Sequence, residues 1–206
     1  MAPVEVDTPH GPAKAHVHPA DEPKAALVLG HGARGGVSSR DLVAVTAVAV
    51  AEGVSVALVE QPFHVAGRPA PAPPRQLDAA WTAVVEHLRE GELQGLPLVA
   101  GGRSLGARVA CRTVEATGAV AVLCLAFPVH APGRTDPAHS RLPELEAVEV
   151  PTLVVQGERD PFGMPPPGPR REVVQVPGDH SLTKDLDAVA AAVRGWLPRV
   201  VGGEGP

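Results

Sequence analysis

The chain has 206 residues, 44% of them hydrophobic, with 2 cysteines and a formal net charge of −5. That length suits one large domain that buries its own core without disulfides. The acidic balance, with no basic stripe, excludes nucleic acid as the main partner, and no run approaches the ~18 apolar residues of a membrane span. Only 2% of residues are aromatic and tyrosine is absent, so valine, leucine and alanine must build the core, the short valine runs favouring buried strands.

Residues 3–18 read as two short strands around the Pro9-His10-Gly11-Pro12 turn, with Val4, Val6, Ala15 and Val17 alternating with polar residues as in an edge hairpin. Leu27-Val28-Leu29 is a short buried strand ending in Gly30-His31-Gly32. Asp41 to Glu52 is a helical run, Ser39 or Asp41 supplying the N-cap and Gly53 the stop. Val54 to Val59 is a strand, 62–74 a proline-rich loop, and Leu77 to Leu88 repeats apolar residues at helical spacing. A strand over Leu96 to Ala100 leads into a helix over Ser104 to Thr117, and Val120 to Phe127 has the apolar character of a central parallel strand. Pro128 to Pro143 is loop-like, with room for one small helix over Leu142 to Val148. Strands at Leu153-Val154-Val155 and Val173 to Val176, a helix over Leu186 to Trp196 and a tail from Gly202 to Pro206 complete the chain. Strands alternate with helices after residue 25, the signature of a mostly parallel sheet with helices on both faces. No repeat or linker divides the chain, so 1–206 is expected to be one domain with its core over about 25–197. The N-terminus lacks the form of a signal peptide, and the cytoplasm is the expected location.

Gly102-Arg103-Ser104-Leu105-Gly106 lies where the Leu96 strand gives way to the following helix. A serine between glycines at such a junction is the sequence form of a nucleophile elbow, a turn so tight that neighbouring side chains must be absent. An activated serine needs a base and a carboxylate to orient the base. Asp160, in Gly157-Glu158-Arg159-Asp160-Pro161, and His180, in Gly178-Asp179-His180-Ser181, each follow a predicted strand and complete the order serine, acid, histidine. Glu158 and Asp179 are rival acids, the first expected to point away and the second too near His180 to align behind its ring. The developing oxyanion needs two backbone donors. Leu105, at the helix start, is one, and Ala33, in the glycine-rich loop after the Leu27 strand, is taken as the other.

The same loop spells GxGxxG at Gly30, Gly32 and Gly35, with Glu60 ending the next strand, which is also how a dinucleotide site would read. The acid stands 30 residues on rather than about 20, a hairpin precedes the glycines, and the helix starts near Ser39 rather than on them. Arg34, Arg103 and Arg159 each adjoin a proposed catalytic element; they hold an anionic substrate group or pack against neighbouring acids. His130 either lines the pocket or caps a loop. Cys111 and Cys124 read as core residues. His16 and His18 share one strand face, but two ligands without a third do not make a zinc site, so no metal is assigned.

From about residue 25 to 197 the chain resembles the α/β-hydrolase superfamily, nearest its small lidless members related to dienelactone hydrolase and the Tex-type hydrolases. The resemblance rests on Leu29-Gly30-His31-Gly32-Ala33, Gly101-Gly102-Arg103-Ser104-Leu105-Gly106, Phe127-Pro128-Val129-His130-Ala131-Pro132-Gly133, Gly157-Glu158-Arg159-Asp160-Pro161 and Gly178-Asp179-His180-Ser181. It implies an α/β-hydrolase fold, a serine nucleophile and no cofactor. Dienelactone hydrolase itself uses cysteine, so the serine here argues against that substrate. The expectation is a serine hydrolase of carboxylesterase type, acting on a small-molecule ester or thioester at an open, shallow site without a lid domain. The alternative is a non-catalytic binding or scaffold protein on the same fold. The oligomeric state is left open.

Overall fold

A computed structural model describes residues 2–134 and 136–202. Eight strands form one sheet in the order β1-β2-β4-β3-β5-β6-β7-β8. β1 (Val4–Thr8) and β2 (Gly11–His18) are the expected antiparallel hairpin, and β2 continues the sheet by pairing antiparallel with β4 (Val54–Glu60). β3 (Ala25–Gly30), β5 (Leu98–Arg103), β6 (Ala121–Leu125), β7 (Thr152–Gly157) and β8 (Arg171–Val176) run parallel with β4 and with one another.

The central strands are apolar throughout because both sheet faces are covered. In β3, Ala26 and Val28 pack on one face while Leu27 and Leu29 pack on the other; β6 divides likewise, with Val122 and Cys124 against Leu123 and Leu125. This is the period of two along a strand. The first face is covered by α3 (Pro74–Glu90), α4 (Leu105–Thr117) and α5 (Leu142–Glu146), the second by α1 (Arg40–Ala51) and α6 (Leu186–Val201). Cys111 and Cys124 are both buried, their sulfurs 3.6 Å apart.

Several boundaries differ from the sequence reading. β5 begins after Pro97, which has no N–H for a ladder, and runs on through Gly101 and Gly102 to Arg103. β6 stops at Leu125 because Ala126 turns to φ 51°. The expected loop at 62–74 contains a four-residue helix, α2 (Pro62–Val65), started by a proline at its first position. α6 continues past Trp196 to Val201, with Pro198 inside its last turns. Of the expected tail, 203–206 lie outside the described residues. Between β6 and β7 the described residues hold only a short 3₁₀ turn, Pro137–His139, and the five-residue α5, so no lid domain covers the sheet edge. No described helix is long and apolar enough to cross a membrane.

β3 is the point where the sheet is wound in both directions, β4 lying on one side and β5 on the other. The carboxyl edge beside such a strand is where open α/β sheets carry their sites.

Candidate active site

Ser104 joins β5 to α4 with φ 51° and ψ −103°, a conformation L-residues rarely hold. Such a residue stores about 1–3 kcal/mol of strain and persists only where its surroundings enforce it. They do so here through close packing. A Cβ on Gly102 would lie 2.6 Å from the Gly30 carbonyl oxygen and 2.7 Å from the Gly106 carbonyl carbon, and one on Gly106 would collide with the Gly30 backbone. The absent side chains let the start of α4 sit against β3, and the turn between has no room to relax. The Ser104 N–H donates to the Leu125 carbonyl at 2.9 Å, fixing the turn to β6.

His180 follows β8 and Asp160 follows β7. A Cβ on Gly157 would strike the backbone of Asp179; its absence lets the two loops touch, and the Arg159 N–H donates to the Gly178 carbonyl at 2.9 Å. The result brings three distant side chains into line. His180 Nε2 is 2.9 Å from Ser104 Oγ, and His180 Nδ1 is 2.8 Å from Asp160 Oδ2. The Asp160 side chain is fully buried and the His180 side chain 17% exposed. A carboxylate only accepts, so Nδ1 carries the proton and the Nε2 lone pair faces the hydroxyl. Neither rival acid reaches the ring. Glu158 is exposed, while Asp179 accepts from the Ser181 N–H and hydroxyl, bonds that hold its carboxyl below the usual range.

Three partners were not legible as part of the site. Gln156, on β7 and fully buried, places Nε2 2.9 Å from Asp160 Oδ2, 3.0 Å from the Phe127 carbonyl and 2.8 Å from the Gly163 carbonyl, its two N–H bonds shared among the three acceptors. Three acceptors around one amide nitrogen fix which way the side chain points. The Phe162 N–H donates to Asp160 Oδ1 at 2.8 Å, and its ring stacks on His180 with centroids 4.0 Å apart. Asp160 thus receives three hydrogen bonds, and the imidazole is held on its flat side. On the far rim, His31 is buried; its Nε2 accepts the Gln61 N–H at 3.2 Å and its Nδ1 donates to the Gly32 carbonyl at 2.7 Å. Burial pushes its pKa below the ordinary value. The neutral ring fastens the loop that carries Ala33.

A cleft of about 630 Å³ opens in front of Ser104, bordered by Ala33, Leu105, Phe162 and His180. The Ala33 and Leu105 N–H groups donate to no other backbone acceptor among the described residues; Leu105 begins α4, where the first amides lack intrahelical partners and the helix dipole favours negative charge.

Other candidate residues fall differently. Arg103 borders the cleft, but its guanidinium is engaged: Nε lies 3.0 Å from the buried carboxylate of Asp41, and another nitrogen donates to the His180 carbonyl at 3.1 Å. Asp41, read as a possible cap, is this buried partner instead. His130 does not border the cleft; its Nδ1 bonds the Ala131 carbonyl and its ring lies over Gly163, where it fastens one loop to another. Arg159 is exposed outside the cleft. Arg34 is exposed at the rim. Of the GxGxxG glycines, Gly30 ends β3 and Gly35 still stands five residues before α1 begins at Arg40, so they do not open a helix onto a phosphate. His16 bonds Glu60 at 2.6 Å while His18 is exposed, and no group of three or more metal-binding side chains occurs among the described residues.

A mostly parallel eight-stranded sheet, with a strained serine at the β5–α4 turn and no lid, is the architecture of an α/β hydrolase. The chain matches the alpha/beta hydrolase domain family over residues 23–184 and belongs to that family. Among solved structures it is similar to XC6422 of Xanthomonas campestris, a serine hydrolase without lid, at 20% identity over 96% of this chain and 95% of that one, with a TM-score of 0.75. It is also similar to Est1E of Butyrivibrio proteoclasticus (16% identity, 98% and 100% coverage, TM-score 0.79) and to a dienelactone hydrolase of Anabaena variabilis (17%, 97% and 99%, 0.76). At these identities the likeness is one of fold. No curated protein matches the chain in sequence.

Proposed function

We propose that this protein is a serine hydrolase that cleaves a small ester or thioester through an acyl-enzyme. The observation that carries the reading is the aligned set Asp160–His180–Ser104, at 2.8 and 2.9 Å, with the serine in a strained backbone turn. In this reading His180 Nε2 takes the Ser104 proton as Oγ adds to the substrate carbonyl. The carbonyl oxygen becomes an oxyanion facing the Ala33 and Leu105 amides. Asp160 holds the Nδ1 proton and stabilises the imidazolium. The ring returns the proton to the leaving alcohol or thiol as the bond to it breaks. Water then adds to the acyl carbon, giving its proton to His180, and Ser104 is released with the acid.

The cleft lies open at the sheet edge, so no surface-dependent opening step is required. Turnover of a soluble ester is expected to show no jump when an oil–water interface is offered. The direct test pairs labelling by a fluorophosphonate probe with turnover of p-nitrophenyl acetate. Both are expected in the wild type and absent in Ser104→Ala. Equal labelling of the two proteins refutes the reading, and labelling without turnover on any ester or thioester favours the binding-protein alternative.

A further inference from the structure

Among the described residues, four arginines border the cleft in front of Ser104, and no aspartate or glutamate does. Two of the four are neutralised from behind. Arg103 has Asp41, and Arg108 is held by Glu144 through hydrogen bonds of 2.8 and 2.6 Å. The other two are not. Among the described residues, neither Arg34 nor the Arg141 side chain has an ion pair or an acceptor within hydrogen-bond reach. Arg34 follows Ala33 in the loop after β3, and Arg141 precedes α5; both border the same cleft, and the Arg141 N–H donates to the Val129 carbonyl at 2.7 Å.

Arg141 is the more telling of the two. It is only partly exposed, and the carboxylate beside it, Glu144, is already shared between Arg108 and Arg112, the latter also bound to Asp78. Burial and the neighbouring Arg108 charge together push its pKa below the ordinary arginine value, despite Glu144. A guanidinium in that position gains by receiving an anion. Guanidinium groups match carboxylate and phosphate oxygens with paired N–H donors, and a cleft lined by one sign of charge concentrates ligands of the other.

We propose that Arg34 and Arg141 form an anion subsite beside Ser104, and that the substrate is an ester or thioester that also carries a carboxylate or phosphate. The ester part of this statement rests on Ser104 acting as the nucleophile; the anion subsite stands on the arginines. It replaces Arg103 by Arg141 as the partner of Arg34, because Arg103 already has its carboxylate within the fold.

The test is calorimetric titration of the Ser104→Ala protein with monomethyl adipate, dimethyl adipate and butyl phosphate. At least one anionic probe should bind about tenfold or more tightly than neutral dimethyl adipate, the scale of one charge-assisted hydrogen-bonded contact. The tighter of the two anions names the group. Arg141→Gln should remove most of that preference, and adding Arg34→Gln the remainder. Equal affinities for the three probes, or a preference that survives in the double variant, overturns the proposal. In parallel, the wild type is assayed with mono(4-nitrophenyl) adipate and its methyl ester, the anionic ester expected to have the higher kcat/KM. If neither is turned over and Ser104 is not labelled, the hydrolase reading fails, while the titration still decides the anion subsite.

Discussion

The loop after β8 and the loop after β3 each bring a histidine to the same edge of the sheet, and they hold it in opposite ways. His180 has a buried carboxylate on Nδ1 and a hydroxyl at Nε2. A carboxylate behind the ring stabilises the imidazolium, so the ring can gain a proton and lose it again. His31 has a backbone carbonyl on Nδ1 and receives a backbone N–H at Nε2. A ring that donates on one side and accepts on the other is held as the neutral tautomer, and burial discourages any further proton. One arrangement suits a base that must cycle, the other a clamp that must not. The residue type is shared; the partner of each nitrogen decides the role.

Substituting the two histidines in turn is the largest test of this contrast. His180→Ala should cost about 10⁴-fold or more in kcat/KM for p-nitrophenyl acetate, the scale for losing a triad base. His31→Ala should cost about 10- to 100-fold, at or below the effect of losing one oxyanion donor, because it loosens the loop carrying Ala33 rather than removing a proton acceptor. Losses of equal size would erase the distinction. A smaller effect is expected behind the carboxylate. Gln156→Leu removes one hydrogen bond to Asp160 and leaves the Phe127 and Gly163 carbonyls without their donor. Kcat should fall about tenfold, as for roughly 1.4 kcal/mol, with KM for the ester little changed. An unaltered kcat would remove Gln156 from the support of the acid.

The contrast also marks what a sequence can carry. Ser104 stands in a glycine-bracketed turn, and Asp160 and His180 each follow a glycine at a strand end; backbone packing requires Gly102, Gly106 and Gly157, so the turns announce themselves locally. The β3, β6 and β7 strands are legible for a similar reason, since burial on both faces leaves an unbroken apolar run. His31 stands in an equally glycine-rich turn, yet its role depends on Gln61, 30 residues away. Gln156 sits at the end of an apolar strand with no local mark of its contact with Asp160. Arg103 and Asp41 each resemble surface charges until the fold brings the end of β5 to the first turn of α1, where the two side chains meet. Arg141 and Arg159 each stand two residues before a proline, and it is the positions of Glu144 and the cleft that separate their roles. The short helix α2 was hidden among prolines that read as breakers, although a proline at a first helical position is favourable.

The smallest test uses pH and the fold alone. The folded pKa of His31 lies below its ordinary value of 6.5. As pH falls below about 7, the unfolded chain takes up a proton at this position that the folded chain resists, so the unfolded state binds more protons and stability falls with falling pH. The contribution is complete above the ordinary value and is lost as pH drops toward the folded one. Glu60 acts in the same direction in a lower window. Burial alone would raise its pKa, but hydrogen bonds from His16 and His64 outweigh that and hold it below its ordinary 4.5. The interval from pH 7 to pH 5 therefore isolates His31 from Glu60. One proton can contribute at most about 1.4 kcal/mol per pH unit. Urea unfolding at fixed ionic strength should show the wild type losing stability over this interval, with a shallower loss in His31→Gln, whose side chain does not titrate. Equal slopes would mean that His31 accepts its proton as freely in the folded chain as in the unfolded one, and a ring that does so cannot be the neutral clamp of the Ala33 loop.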